Sequence, residues 1–331
     1  MADKSFDVVG IGNAIVDIIA RCDEGFLSKH DLDKGFMRLI DAGEAARLYE
    51  AMGPAIERSG GSVANSIAGL ASFGAKCGFI GRVAADQFGG IFRHDIRSLG
   101  VAFDSAPAID GAPTARCLIL VTPDGERTMN TFLGASVDFA PADLDEEMIA
   151  ASKIVYLEGY LFDREHAKAA FREAARIAKE AGAKVALSLS DAFCVDRHRE
   201  DFRAFIRNDA DILFANEKEI TTLYQVNSFE EAASAARFAC ELAVLTRSEA
   251  GSVIVAAGET HDIAPEKAEM VDATGAGDLY AAGFLYGLTR GAPLDVCGRI
   301  GSLAAAEIIS HIGARPEISL GELVKKRGLL D

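Results

Sequence analysis

The chain has 331 residues, of which 50% are hydrophobic and 25% are charged. This balance provides enough apolar side chains for a large core and excludes a disordered chain, a collagen and a bare coiled coil. Lys and Arg number 34 against 50 Asp and Glu, and the net charge of -16 argues against a nucleic-acid or anionic-membrane partner, since both are bound through excess positive charge.

Eight short apolar runs are predicted to form strands, and they span residues 6–12, 77–83, 116–122, 153–160, 184–190, 211–216, 242–246 and 252–257. Runs that are apolar on both faces are typical of buried strands in a parallel sheet. Helical periodicity lies between several of them and is clearest over 163–182, where Gly182 supplies a C-terminal stop. Strands that alternate with helices predict an α/β fold with a doubly wound, mostly parallel sheet.

Two regions interrupt this alternation, at about 20–45 and 104–137. The second predicts two strands around the turn signal Pro123, Asp124 and Gly125. Both regions would form a small β layer against the main sheet, with long surface loops as the alternative. Because no linker divides the chain, we expect residues 1–331 to form a single domain.

The first glycine-rich segment argues against one class of enzyme. Gly10, Gly12 and Ile15 follow the first predicted strand as GxGxxI. A dinucleotide-binding turn needs a third glycine for close packing of helix and strand. We therefore do not expect a dehydrogenase.

The segment 270–291 predicts an anion-binding site at a helix start. Gly275, Ala276 and Gly277 precede a stretch of helical period, so their N–H groups would point at a ligand. Asp278 falls in the first turn, where the helix dipole favours the ionised form and makes it a weak base. A weak base suffices for phosphoryl transfer, which has a loose transition state. The alternative is a simple turn followed by a favourable first-turn residue.

Two further features predict contacts with a small polar ligand. Gly60 and Gly61 precede a helical stretch in which Asn65 offers both a donor and an acceptor. Asp17 lies inside an apolar run, where an unpaired carboxylate would be costly to bury. Its side chain either faces solvent at a strand end or accepts hydrogen bonds from a polyol.

The motifs GGSVAN (60–65) and DATGAGD (272–278) together resemble those of the ribokinase-like (PfkB) carbohydrate kinase family. The resemblance extends along nearly the whole chain and is strongest to the adenosine kinases, through GNAIVDI, SLSDAF, DILFANEKE and HIGARP. It implies a ribokinase-like α/β domain in which a central sheet is flanked by helices. The small β lid of that fold would come from about 20–45 and 104–137.

The resemblance also implies a role for each matching residue. Asp278 would take the proton from the substrate's hydroxymethyl oxygen, and the amides of Gly275, Ala276 and Gly277 would stabilise the transferring phosphoryl group. The residues implied to hold the ribose are Asn13, Asp17, Gly60, Gly61 and Asn65. Those implied to bind the nucleotide are Thr246, Ser248, Gly251, Gly275 and Gly277, although the family usually has glycine at position 248.

Four more residues have two interpretations each. Asn216 and Glu219 match the NxxE motif that organises magnesium and phosphate through water, and they also fit a helix-capping box; both can hold. Arg127 matches an arginine that reaches the phosphates when the lid closes, with a solvated hairpin arginine as the alternative. Phe162 is our candidate for the aromatic wall of the substrate's base, with simple core packing as the alternative.

The implied activity is ATP-dependent phosphorylation of the 5′-hydroxyl of adenosine, with Mg²⁺. The alternatives are a kinase of a free sugar or of another nucleoside, and a non-catalytic sensor of a nucleoside or sugar. The expected partners are ATP and the small-molecule substrate. A monovalent-cation site such as K⁺ near Asp272, and a monomer or a homodimer, remain open.

The expected location is cytoplasmic. Charged residues in the first twenty positions break the pattern of a signal peptide, and no apolar run approaches the length of a membrane span. The six cysteines form no CxxC pair, which indicates reduced thiols.

Overall fold

The computed structural model describes residues 4–330; residues 1–3 and 331 of the predicted domain lie outside that range. The strands are β1 (Phe6–Ile11), β2 (Ile15–Arg21), β3 (Met37–Leu39), β4 (Ala55–Gly60), β5 (Cys77–Ile80), β6 (Ala115–Val121), β7 (Arg127–Phe132), β8 (Ser152–Glu158), β9 (Lys184–Ser188), β10 (Ile212–Asn216), β11 (Leu242–Thr246), β12 (Ser252–Ala256) and β13 (Glu259–Ile263). The helices are α1 (Glu24–Lys29), α2 (Ala42–Ala51), α3 (Ser62–Ser72), α4 (Gln87–Ser98), α5 (Glu146–Ala150), α6 (Glu165–Glu180), α7 (Ala192–Arg197), α8 (Arg199–Asn208), α9 (Glu217–Tyr224), α10 (Phe229–Arg237), α11 (Ala276–Thr289), α12 (Leu294–Ile308) and α13 (Leu320–Lys326). Across residues 4–330, no helix combines the length and hydrophobicity needed to cross a bilayer.

The main sheet has eight strands in the order β13-β12-β11-β10-β9-β8-β1-β5. The strands from β11 to β5 in this order pair in parallel, whereas β12 and β13 add an antiparallel edge. The prediction that 252–257 forms a parallel strand was therefore wrong. Only residues 247–251 separate β11 from β12, and a parallel crossover needs a dozen or more residues.

Helices cover both faces of this sheet, which confirms the predicted α/β class. Successive residues of β1 point to opposite sides, so that Val8 packs into one hydrophobic core and Val9 into the other. The first core includes α3, α11 and α12, and the second includes α6, α8 and α10. The predicted helix over 163–182 corresponds to α6.

A second sheet of five strands, in the order β3-β7-β6-β2-β4, stands apart from the first. The predicted region 20–45 contributes β3, and 104–137 contributes the hairpin of β6 and β7. Two further strands, β2 and β4, lie outside the predicted ranges. One face of this sheet packs against α2 and α4. The opposite face, which we call the inner lid face, carries Asp17, Cys117 and Thr131 in one row of paired strands.

Candidate active site

Asp278 lies where the first turns of α3 and α11 face each other. Its Oδ1 accepts a hydrogen bond from Ser62 Oγ at 2.6 Å, and its Oδ2 accepts one from Asn65 Nδ2 at 3.3 Å. These contacts join two motifs that are more than two hundred positions apart in the sequence. The structure thus brings Asp278 and Asn65 into one site, as the sequence predicted.

The pKa of Asp278 is higher than the sequence analysis expected. Burial raises the pKa of Asp278 to about 6, and the nearby charge of Asp17 acts in the same direction. Hydrogen bonds from Ser62 and Asn65 and the charge of Arg315 oppose the rise without cancelling it. The helix dipole was expected to hold this pKa low, so desolvation outweighs it here. A carboxylate with a pKa near 6 is a better general base than an ordinary aspartate.

The loop before α11 forms a cradle of backbone donors. Gly275 is the N-cap and has a φ of 80°, and a Cβ there would lie 2.9 Å from the Cβ of Ala314. The N–H groups of Gly275 and Gly277 make no hydrogen bond to the described residues. They face a cavity of about 220 Å³ that also contains Ala276 and Asp278. Unsatisfied donors at a helix N-terminus match the predicted anion site.

A buried ion pair braces this loop against the second sheet. Arg127 Nη1 donates to Asp272 Oδ2, and both side chains are buried. Asp272 also accepts hydrogen bonds from the N–H and Oγ1 of Thr274 and from the N–H of Gly313, at 2.7 to 3.0 Å. Burial alone would raise the pKa of Asp272, but these bonds and Arg127 hold it below its ordinary value. Arg127 therefore lies beside the loop before α11 but is engaged by Asp272.

The residues predicted to hold the ribose form the other side of the site. Asn13 follows β1 at the junction with β2, and Asn65 lies in the first turn of α3. Both side chains are buried, and the Oδ1 atom of each has no hydrogen-bond partner within residues 4–330. Buried polar atoms are rarely left unpaired, so these two oxygens indicate a missing donor.

The close approach of two strands explains the paired glycines. A Cβ on Gly60 would lie 2.3 to 2.6 Å from the carboxylate of Asp17, which lies on β2 two residues beyond Ile15, the partner of Gly60. Gly61 has a φ of 103°, and a Cβ there would lie 2.2 Å from the backbone oxygen of Asn13. Burial raises the pKa of Asp17, while the charges of three arginines act against the rise. Asp17 is thus inside the site and not at an exposed strand end.

Asn216 and Glu219 form the predicted capping box at the start of α9. Asn216 Oδ1 accepts from the Glu219 N–H, and the carboxylate of Glu219 accepts from the N–H and Nδ2 of Asn216. Both line the cavity that contains Asp278, and burial raises the pKa of Glu219 to about 7. No three His, Cys, Asp or Glu side chains of the described residues converge as a metal site. Glu219 and Asn216 are the two residues of this wall of the cavity that could orient a magnesium ion through water.

The residues predicted to bind the nucleotide are only partly brought together. Thr246, at the end of β11, lines the same cavity as Gly275 and Gly277. Ser248 and Gly251 lie beyond it in the turn between β11 and β12, and both have positive φ, at 49° and 83°. Ser248 thus holds a left-handed conformation at the position where the family usually has glycine.

The structure corrects the prediction for Phe162. Its ring stacks on Phe202 with centroids 4.1 Å apart and is fully buried in the second core. It therefore packs as simple core and does not border the cavity. Tyr160, two residues earlier, is 38% exposed and is the other aromatic side chain of that turn.

Sequence reasoning missed two charged residues of the site. Glu158 ends β8, is 1% exposed, and has its pKa raised by burial to about 7. Arg315 donates to the backbone oxygens of Ser59 and Ala64 on either side of the paired glycines, and burial lowers its pKa to about 10. Glu158 could have been found as Asp17 was, as a charge inside an apolar run. Arg315 gave no such signal.

The chain is similar to known proteins along most of its length. A family model described as pfkB family carbohydrate kinase matches residues 56–319. A solved structure of an adenosine kinase from Sinorhizobium meliloti is 49% identical, covers 98% of this chain and 99% of its own, and superposes with a TM-score of 0.89. A structure described as a "probable sugar kinase protein" from Rhizobium etli is 48% identical, covers 99% and 100%, and has a TM-score of 0.90.

The curated relatives are more distant and have a different name. A 5-dehydro-2-deoxygluconokinase from Listeria monocytogenes is 24% identical over 98% of this chain and 96% of its own length. One from Shouchella clausii is 26% identical over 97% and 95%. The relatives are thus named as an adenosine kinase, a probable sugar kinase and two 5-dehydro-2-deoxygluconokinases.

Proposed function

Because the chain belongs to the pfkB family of carbohydrate kinases, we propose that Asp278 is the base for transfer of a phosphoryl group from ATP to a substrate hydroxyl. The family match over residues 56–319 confirms the resemblance and its ribokinase-like fold. The protein is therefore a kinase, a phosphotransferase with an alcohol group as acceptor. The observation that carries the proposal is a carboxylate of raised pKa beside unsatisfied backbone donors.

In this proposal each element of the site has a chemical task. Asp278 takes the proton from the attacking hydroxyl, and its pKa of about 6 leaves it ionised at neutral pH. The N–H groups of Gly275 and Gly277 stabilise the negative charge on the transferring phosphoryl group. Magnesium, organised by Glu219 and Asn216, would neutralise phosphate charge. The five-stranded sheet acts as the lid, and the ion pair of Arg127 with Asp272 supports its closure over the loop.

We favour adenosine as the substrate, phosphorylated on its 5′-hydroxyl to give AMP. The inner lid face supports this choice, because Cys117, Ile119 and Val121 form an apolar cluster there with Ile19 and Met129 packed on it. The pairing of β2 with β6 places this cluster on the same face as Asp17. The three cluster residues are themselves buried, so the apolar surface available to a planar base is that of the partly exposed Ile19 and Met129 beside them. The 49% identity to an adenosine kinase supports this choice, whereas the 48% identity to a probable sugar kinase supports the alternative.

A sugar kinase is the second candidate, and the names of the curated relatives favour it over the nucleoside. The carboxylates of the site bear on which sugar would fit. A gluconate carries its own negative charge, which would meet Asp17, Glu158 and Asp278 in a site of low dielectric. A neutral sugar such as ribose or fructose is therefore the better candidate of this class.

The test is the release of ADP by the purified protein with ATP and Mg²⁺. Adenosine, inosine, ribose, fructose and 5-dehydro-2-deoxygluconate are compared at equal concentrations. We expect the highest kcat/KM with adenosine. A higher value with a sugar would replace the nucleoside assignment. No turnover with any of them, together with ligand-induced thermal stabilisation, would instead favour a non-catalytic sensor and refute the kinase activity.

A further inference from the structure

Glu158 contacts two parts of the substrate side of the site without lining the cavity at Asp278. Its Oε1 accepts a hydrogen bond from Asn13 Nδ2 at 2.6 Å, and its Oε2 accepts one from the N–H of Val63 at 3.0 Å. Gly12 packs directly against this carboxylate, because a Cβ on Gly12 would lie 2.4 Å from Oε2. The carboxylate therefore receives a donor on each oxygen.

This contact fixes the orientation of the Asn13 amide. A carboxylate can only accept, so it holds the Nδ2 end of Asn13 and turns the Oδ1 end away. That Oδ1 is buried and has no partner within residues 4–330. Asn65 is arranged in the same way, with Nδ2 donating to Asp278 and a buried, unpaired Oδ1. The carboxylates of Glu158 and Asp278 thus each bind the NH₂ group of one of these amides. The two amide oxygens remain to accept hydrogen bonds from a ligand.

We propose that Glu158 is a positioning residue that makes Asn13 an obligatory hydrogen-bond acceptor, so that the site selects substrates with a hydroxyl donor at that point. With the oxygen of Asn65, this side of the site then offers two buried acceptors that have no partner within residues 4–330. It favours a substrate with several hydroxyl groups and disfavours deoxy analogues, which leave a buried acceptor unpaired. The inference rests on the proposed function, since it assigns the substrate side of that site.

The substitution Glu158→Gln reverses which end of the Asn13 amide faces the substrate. The Gln side chain can keep the bond to the Val63 N–H only through its oxygen, and its NH₂ group then faces Asn13. Asn13 must turn its Oδ1 toward that NH₂ group, which presents Nδ2 to the substrate. A hydroxyl that donated to Asn13 now meets a donor. Shape and volume are nearly unchanged, so the substitution tests hydrogen-bond polarity.

The experiment compares adenosine, 2′-deoxyadenosine and 3′-deoxyadenosine in wild type and Glu158→Gln at pH 8.5, where Glu158 is ionised. We expect kcat/KM for adenosine to fall on the order of 10- to 100-fold, mainly through KM. For the analogue that lacks the hydroxyl facing Asn13, the fall should be less than threefold. The matched control is Asp7→Asn, because Asp7 is a buried carboxylate at the opposite end of β1 that accepts from the Lys76 N–H. It should lower thermal stability without changing discrimination among the three substrates.

The double variant Glu158→Gln with Asn13→Asp distinguishes positioning from general damage. The introduced Asp accepts from the introduced NH₂ group and again presents an oxygen to the substrate. We expect its kcat/KM for adenosine to be at least tenfold higher than that of Glu158→Gln. An equal loss on all three substrates without recovery, or no loss at all, would overturn the role of Glu158. If wild type phosphorylates ribose instead of adenosine, the adenosine assignment fails separately, and the same proteins are then compared on ribose and its deoxy analogues.

Discussion

Replacement of the proposed base should have opposite effects on activity and stability. Asp278→Asn keeps the shape of the side chain and the hydrogen bond from Ser62, and it bonds to Asn65 once the Asn65 amide turns its oxygen toward the introduced NH₂ group. It removes the charge and the ability to take a proton. We expect kcat to fall roughly 10³- to 10⁴-fold, the range for loss of a general base. Thermal unfolding should move to higher temperature at neutral pH.

The size of the stability gain follows from the pKa of Asp278. Its rise from 3.8 to about 6 corresponds to at most about 3 kcal/mol at 1.36 kcal/mol per unit. Because the folded state binds this proton more tightly than the unfolded state, the wild-type side chain costs nothing well below pH 4. The cost grows between about pH 4 and pH 6 and levels off above that. Between pH 5 and pH 8, the gain from Asp278→Asn should therefore increase by about 1.4 kcal/mol.

The assay is urea unfolding of both proteins at pH 5, 6.5 and 8, alongside ADP release. The matched control is Asp86→Asn, at the N-cap of α4. Burial alone would raise the pKa of Asp86, but hydrogen bonds from Thr114 and the Gly89 N–H hold it below normal. This control should lose stability and keep turnover. Turnover of Asp278→Asn within tenfold of wild type, or a stability gain that does not grow with pH, would refute the reasoning.

Three further substitutions test separate parts of the site. Gly277→Ala should fold as stably as wild type, because its Cβ meets nothing within 4 Å. It should raise the KM for ATP at least tenfold, because the added methyl group crowds the phosphate. Gly90→Ala, at an exposed position of α4, is the control and should leave that KM unchanged. Gly60→Ala should raise the KM for the acceptor substrate at least tenfold, since its Cβ would displace the carboxylate of Asp17; an unchanged KM would contradict the placement of Asp17. Ser248→Gly should stabilise the protein by about 1 kcal/mol in urea unfolding, because it relieves a φ of 49° in a residue other than glycine; a loss of stability would contradict it.

The sequence predicted the main sheet well because its strands carry a strong local signal. Runs such as 184–190 and 211–216 are apolar on both faces, and burial on both faces is what the structure shows. The lid was predicted only in part, because one of its strands lacks such a local signal. β4 contains Glu57, Arg58 and Ser59, and such a polar strand has no local pattern of its own. Its pairing with β2 is what makes it a strand.

The site shows the same division between local and long-range information. The motif at 272–278 places backbone donors and Asp278 in one helix turn, so it could be predicted from neighbouring residues. The raised pKa of Asp278 could not, because it depends on burial between two helices. The prediction for Phe162 was wrong for a similar reason, because only the packing of α6 and α8 decides which side chain of its turn is buried. The contacts of Glu158 with Asn13 and Val63 likewise join three distant segments.

The pH dependence of kcat/KM tests the central claim most directly, because it reports the ionisation of the free enzyme's base. Asp278 must lose its proton to act, and its pKa is about 6. For wild type, kcat/KM should rise about tenfold per pH unit below pH 6, rise more weakly near pH 7 as Glu158 ionises, and level off above that. The residual activity of Asp278→Asn should lack the inflection near pH 6. A flat wild-type profile from pH 5 to 8, or the same inflection in both proteins, would contradict the assignment of Asp278 as the base.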